Sequence, residues 1–164
     1  MRSGYRHFPN LTGALYRHRG AILWVMMVCS CLALIVSGWQ LYREERDNAA
    51  VAALLAGHDL AVDPERASPS VLFARFDYLL ERDRTEEAQM LLDQANFRAD
   101  QVTRIAMLYN MANARLRQTF AAIDKGDFEA ATSLVGLAKE DYIAALRLDP
   151  GAWNVKYNLD VAAR

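Results

Sequence analysis

From Gly20 to Tyr42 the chain carries no formal charge, and it holds Ile22, Leu23, Trp24, Val25, Met26, Met27, Val28, Leu32, Leu34, Ile35 and Val36. About 20 mostly apolar residues are what a helix needs to cross a bilayer core, because each backbone amide must then find its partner inside the same segment. Trp24 near one end, and Trp39 with Tyr42 at the other, sit where interfacial aromatic anchors belong, and Arg19 and Arg43 fence the stretch. A cleaved signal peptide would have a shorter apolar region followed by small residues at a cleavage site. Here the stretch ends Ser37-Gly38-Trp39-Gln40, and no lipobox surrounds Cys29 or Cys31. The expectation is an uncleaved transmembrane helix.

Charge sets the orientation. Residues 1–19 hold Arg2, Arg6, Arg17 and Arg19 and no acid, while the whole chain is at −1. The remainder is therefore acidic. Arginines before the span and a mixture of signs after it place the N-terminus in the cytoplasm, and the body outside, in the periplasm of a Gram-negative cell. The expected localisation is the bacterial inner membrane, single-pass. On this topology the acceptor-like Asn10-Leu11-Thr12 never meets the glycosylation machinery. Nothing in the charge favours a nucleic-acid partner; the lipid bilayer is the expected one. Cys29, Ala33 and Ser37 recur at i, i+4 and i+8, a small-residue ridge where another membrane helix could approach closely. The body has no cysteine, so neither a disulfide framework nor a thiolate metal site can hold it; a reducing compartment and a cysteine-poor periplasm both fit.

The body reads as all-α. No period-2 run and no Asn-Gly or Asp-Gly turn appears. Four segments follow: a basic tail over 1–19, the span over 20–42 with its helix continuing to about Gly57, a linker over 58–70 around Asp63-Pro64 and Ser68-Pro69, and a helical domain over 71–164. Within the domain one helix is expected near Val71–Glu81. Asp83-Arg84-Thr85-Glu86 reads as an N-cap with its acidic partner, opening a second helix to about Ala95, and Asn96–Ala99 as a loop. Asp100 caps a third, with Ile105, Leu108, Ala112, Leu116, Phe120 and Ile123 on its core face. After Lys125-Gly126-Asp127 a fourth carries Phe128, Ala131, Val135, Ala138, Tyr142 and Ala145 on one stripe. Asp149-Pro150 ends it and is expected to open a fifth, Asp as cap and Pro in the first turn, with the Trp153 ring packed on the end of the hairpin. Lys139, Glu140 and Asp141 read as an exposed turn of mixed charge.

Tyr109-Asn110-Met111-Ala112-Asn113-Ala114 recurs, 48 residues on, as Tyr157-Asn158-Leu159-Asp160-Val161-Ala162. With the turn Gly126-Asp127-Phe128-Glu129-Ala130 and the ending Ala138, Tyr142, Ala145, Leu146, Asp149 and Pro150, the text resembles the tetratricopeptide (TPR) repeat. That family's period is 34. The surplus, shared between two helices, adds about two turns to each arm of the hairpin. The expected architecture is a transmembrane helix followed by TPR-like antiparallel hairpins, the long arms covering Asp100–Asp124 and Asp127–Leu148.

No catalytic constellation is present: no Gly-rich phosphate loop, no Gly-x-Ser-x-Gly, no His-Glu-x-x-His, and a single body histidine, His58, in the linker. The chain is expected not to be an enzyme, with no cofactor and no metal. If the hairpins form an array, the surface of each unit's first helix is the candidate partner-binding groove, lined by Tyr109, Asn110, Asn113, Tyr157 and Asn158. Asparagine offers both a donor and an acceptor to an extended backbone; the same asparagines could equally cap or bridge neighbouring helices.

The ending from Ala138 to Arg164, "Ala-Lys-Glu-x-Tyr-x-x-Ala-Leu-Arg-x-x-Pro-x-x-Trp-x-x-x-Tyr-Asn-Leu-x-x-Ala-x-Arg", is similar to the MxaK-type accessory proteins of bacterial methanol-oxidation operons. It also resembles relatives encoded beside MoxR-type AAA+ ATPases and von Willebrand A-domain proteins. The resemblance implies a periplasm-facing scaffold for maturation or assembly of a client dehydrogenase, with the ATPase and A-domain proteins as partners. A single-span structural subunit of a membrane enzyme complex is the alternative.

Overall fold

The computed structural model describes residues 19–95 and 99–164. The basic tail up to His18, with Asn10-Leu11-Thr12, and residues 96–98 of the expected loop lie outside the described residues. Every element is helical: α1 (Arg19–Leu55), α2 (Pro69–Leu80), α3 (Thr85–Ala95), α4 (Gln101–Asp124), α5 (Phe128–Leu148) and α6 (Trp153–Ala163). The chain divides into two compact units, up to Glu44 and from Glu45 onward.

The first unit is the apolar part of α1. Its most apolar window has a mean hydropathy of 2.4, with none of that window buried by the protein itself. Among the described residues it is the one helix long and apolar enough to cross a membrane. Cys29, Ala33 and Ser37 share one exposed face there.

The second unit takes in the end of α1 as well as the segment from Val71. Leu54 is buried and Val51 packs beside it, in a cluster with Leu72, Phe76, Leu79, Leu92, Met107 and Met111. α1 ends as Gly57 turns to a φ of 90°, which a residue without a Cβ adopts freely. The segment that follows is tied down by charge. Asp59 pairs with Arg75 of α2 and, at 2.7 Å, with Arg84 before α3.

The N-terminal signals divide. Asp100 caps α4 through Thr103 N–H (2.8 Å), and Asp127 caps α5 through Ala130 N–H (3.0 Å). Asp83 does not cap α3. It adopts a φ of 55° in the α2–α3 turn, and the side-chain partnership falls one residue later, Arg84 to Glu87 at 2.6 Å. Asp149 does not cap α6 either. Its carboxylate accepts from Gly151 N–H (2.7 Å) and its carbonyl from Ala152 N–H, so a tight turn consumes these groups and α6 begins at Trp153.

α4 and α5 form the long hairpin, of 24 and 21 residues, close to the bounds expected for its two arms. Partner numbers fall on α5 as they rise on α4: Gln101 to Leu148, Asn113 to Tyr142, Arg115 to Asp141, which makes the pair antiparallel. α4 stands between two cores. Met107, Met111 and Ala114 face α2 and α3; Ala112 joins Ala138, Tyr142, Ala145 and Val155 in the second.

Three apolar expectations fail at the hairpin tip. Phe120 is 63%, Ile123 43% and Phe128 68% exposed. These three lie on the outer surface of the hairpin, while small Ala131 is buried. Trp153 also points outward, 77% exposed, and Val155 takes the buried position in its place. Asp141 is the converse error: it is a helical residue, buried against Arg115.

Candidate functional site

One face of α4 carries Tyr109, Asn110, Asn113 and Arg117, spaced so that all four lie on adjacent turns of one side. α4 can present this face because Met107, Met111 and Ala114 hold it from the side of α2 and α3 while Ala112 lets α5 approach closely.

The repeated asparagines hold helices together. Asn110 Nδ2 donates to Asp77 Oδ1 of α2 at 2.9 Å. Asn158 Nδ2 donates to Asn113 Oδ1 at 2.9 Å and to the Tyr109 hydroxyl at 3.1 Å. The asparagine of each Tyr-Asn pair therefore reaches back to the helix two elements earlier, which gives the recurrent asparagine a structural purpose. Asn113 Oδ1 also accepts from the Tyr142 hydroxyl at 2.5 Å. The rings of Tyr109 and Tyr142 lie 6.2 Å apart and tilted by 54°, a favourable aromatic geometry. Burial pushes the Tyr142 hydroxyl up to about 12, so it stays a neutral donor. Burial likewise raises Asp77, opposed by the bond from Asn110.

Of the five expected groove residues, Tyr109, Asn113 and Asn158 form one bonded cluster and Asn110 a separate link to α2. Tyr157 stands apart: it is 64% exposed, on the outer side of α6. The bridging role of the asparagines is thus realised, and it consumes much of the polar capacity once available to a peptide.

A hollow of about 220 Å³ opens beside them, lined by Asp77, Leu80, Glu81, Asn110, Asn113 and Arg117. Sequence reasoning missed Arg117, although its spacing of four from Asn113 and seven from Asn110 puts it on the same face. Its side chain is exposed and forms no hydrogen bond or ion pair among the described residues. The acids around it are engaged: Asp77 by Asn110, and Glu81 by Arg82 at 3.8 Å. Among the described residues, the one cation lining this hollow is the Arg117 guanidinium, a side chain shaped for a carboxylate.

A larger hollow, about 620 Å³, lies between the start of α3, α4 and α5. Several of its polar groups are spent on bonds within the fold. Gln118 donates to the Thr85 hydroxyl and Arg115 to Gln89 Oε1, both at 2.6 Å, and Arg115 also pairs with Asp141. Size favours this hollow, but free bonding capacity favours the smaller one.

The chain matches no protein-family model, no curated protein and no solved structure.

Proposed function

We propose that the chain is a membrane-anchored helical scaffold that holds a partner protein on the α4 face, with Arg117 as its principal charged contact. The observation that carries this reading is the unpaired guanidinium beside Asn110 and Asn113, set on a helix braced from both sides. A group so disposed makes no hydrogen bond or ion pair among the described residues of its own fold and is available to an acidic side chain on another protein. The array is read as TPR-like, its hairpin lengthened. The partners are those the sequence resemblance implies: a MoxR-type ATPase, von Willebrand A-domain proteins, or the dehydrogenase they help to mature. The arginine asymmetry around Gly20–Tyr42 supports a periplasmic body and a span in the inner membrane.

The test uses the full chain in detergent and a purified MoxR-type ATPase, von Willebrand A-domain protein and methanol dehydrogenase. Arg117→Ala should leave the melting temperature unchanged and weaken capture by roughly fivefold or more, the loss of one charge-assisted contact. A chain lacking residues 1–42 should still bind. If only chains that keep the span bind, the structural-subunit reading replaces this one. A reporter active only in the periplasm, fused after Arg164, should be active; activity of a cytoplasmic reporter alone would overturn the compartment.

A further inference from the structure

The 48-residue offset maps α4 onto α6 residue by residue, and burial follows the map on one side only. Met107, Asn110, Met111 and Ala114 face the elements before α4; their counterparts Val155, Asn158, Leu159 and Ala162 face the elements before α6. On the other side the map breaks. Ile105, Tyr109 and Ala112 pack in the core that α5 completes with Ala138, Tyr142 and Ala145. Their counterparts Trp153, Tyr157 and Asp160 are exposed, as are Lys156, in the place of Leu108, and Val161. α6 therefore presents the face that α4 gives to α5, with no helix among the described residues upon it. A Trp, a Tyr and a Val at spacings of four are the anchors of a helix-on-helix contact.

The charges within this face choose the occupant. Lys156 and Asp160 lie one turn apart on the same flank. Two copies of such a flank laid antiparallel bring each lysine against the other copy's aspartate, at both ends of a two-fold axis. A helix carrying its own complement is fitted to a second copy of itself. We infer that α6 pairs antiparallel with α6 of a second copy of this chain, Trp153, Tyr157 and Val161 forming the contact and Lys156 facing Asp160 across it. Asp160 already accepts from Arg164 at 2.6 Å within one copy, so its carboxylate would sit between two cations. One helix face buries less than the area of a standard stable interface, so the pair is weak in free solution. Tethering both copies in one bilayer raises their effective concentration.

The test is site-specific cross-linking of the full chain in lipid vesicles, with Cys29 and Cys31 changed to serine. Tyr157→Cys, close to the two-fold axis, should give a cross-linked dimer with a short bismaleimide, and Glu129→Cys on α5 should not. Added to Tyr157→Cys, Lys156→Asp should cut the dimer yield several-fold by setting acid against acid. Adding Asp160→Lys as well should restore it, because the exchanged charges again meet their opposites. Helicity by circular dichroism verifies that each variant is folded. A contact made by the spans alone would leave the yield indifferent to these charges. Equal yields with and without the restoring Asp160→Lys change, or a yield from Tyr157→Cys no greater than from Glu129→Cys, would overturn the pairing.

Discussion

Asn158 and Asn113, 45 residues apart, share a hydrogen bond of 2.9 Å that ties α6 to α4. The same acceptor oxygen takes the Tyr142 hydroxyl, so one asparagine on α4 joins α5 and α6 at a single atom. Asn158→Ala removes the amide that serves both Asn113 and Tyr109. The expected cost is about 1–3 kcal/mol, from lost bonds and part-buried acceptors left without a donor. In a domain of this size that lowers the melting temperature by roughly 4–12 °C. Thermal unfolding followed by far-ultraviolet circular dichroism measures it; a shift under about 1 °C would show that water replaces the amide at no cost.

The long hairpin was legible because its determinants are local. Asp100 and Asp127 cap helices in sight of their own sequence neighbours, and the spacing of Ala131, Ala138, Tyr142 and Ala145 marks one buried stripe. The failures are tertiary. Phe120 and Phe128 continue the same periodicity, and nothing local reveals that both rings stay outside the packed surface. Asp141 and Arg115 are charged residues whose burial depends on each other across two helices. The recurrent asparagines were visible as a repeat, but whether they face a ligand or the next helix depends on packing. Arg117 was readable from its spacing; its lack of a partner was not.

The Arg115–Asp141 pair sits with about nine-tenths of both side chains covered, and Arg115 is further bonded to Gln89. Arg115→Met should cost about 3–5 kcal/mol at pH 7, because Asp141 must then either stay charged without its counter-ion or take up a proton, and Gln89 loses its donor. The double change Arg115→Met with Asp141→Leu should recover most of that loss. Denaturant unfolding of the full chain in detergent decides it; a double variant no more stable than the single would assign the loss to packing.

Acid should first stabilise this fold. Burial lifts Asp141 to about 6 against the opposing pull of Arg115, so the folded state holds a proton there that the unfolded chain releases. Stability then rises as pH falls from 7 through 6, and Asp77, also raised by burial, adds in the same direction. Asp59 and Glu87 act oppositely: their bonds to Arg84 hold both carboxyls below the ordinary values of 3.8 and 4.5, and that contribution is lost on further acidification. Melting temperature should peak between about pH 4.5 and 6. Asp141→Asn should flatten the rise between pH 7 and 5, whereas a steady decline from pH 7 downward would contradict the assignment.

Trp153 and Val155 are two residues apart and face opposite ways, the indole 77% and the valine 1% exposed. A ring left in water contributes little to the monomer, while a small side chain inside the second core is surrounded by α4 and α5. Trp153→Ala should therefore change stability by no more than about 0.5 kcal/mol in dilute detergent. Val155→Ala deletes two methyl groups from a filled site and should cost about 1.5–2.5 kcal/mol. Raising the protein density in vesicles should separate them again. There Trp153→Ala should reduce cross-linking through Tyr157→Cys, by the face it removes, and Val155→Ala should reduce it only as far as it unfolds α6. If the tryptophan variant unfolds as readily as the valine one in dilute detergent, the ring is packed inside the fold and α6 has the opposite rotation about its axis.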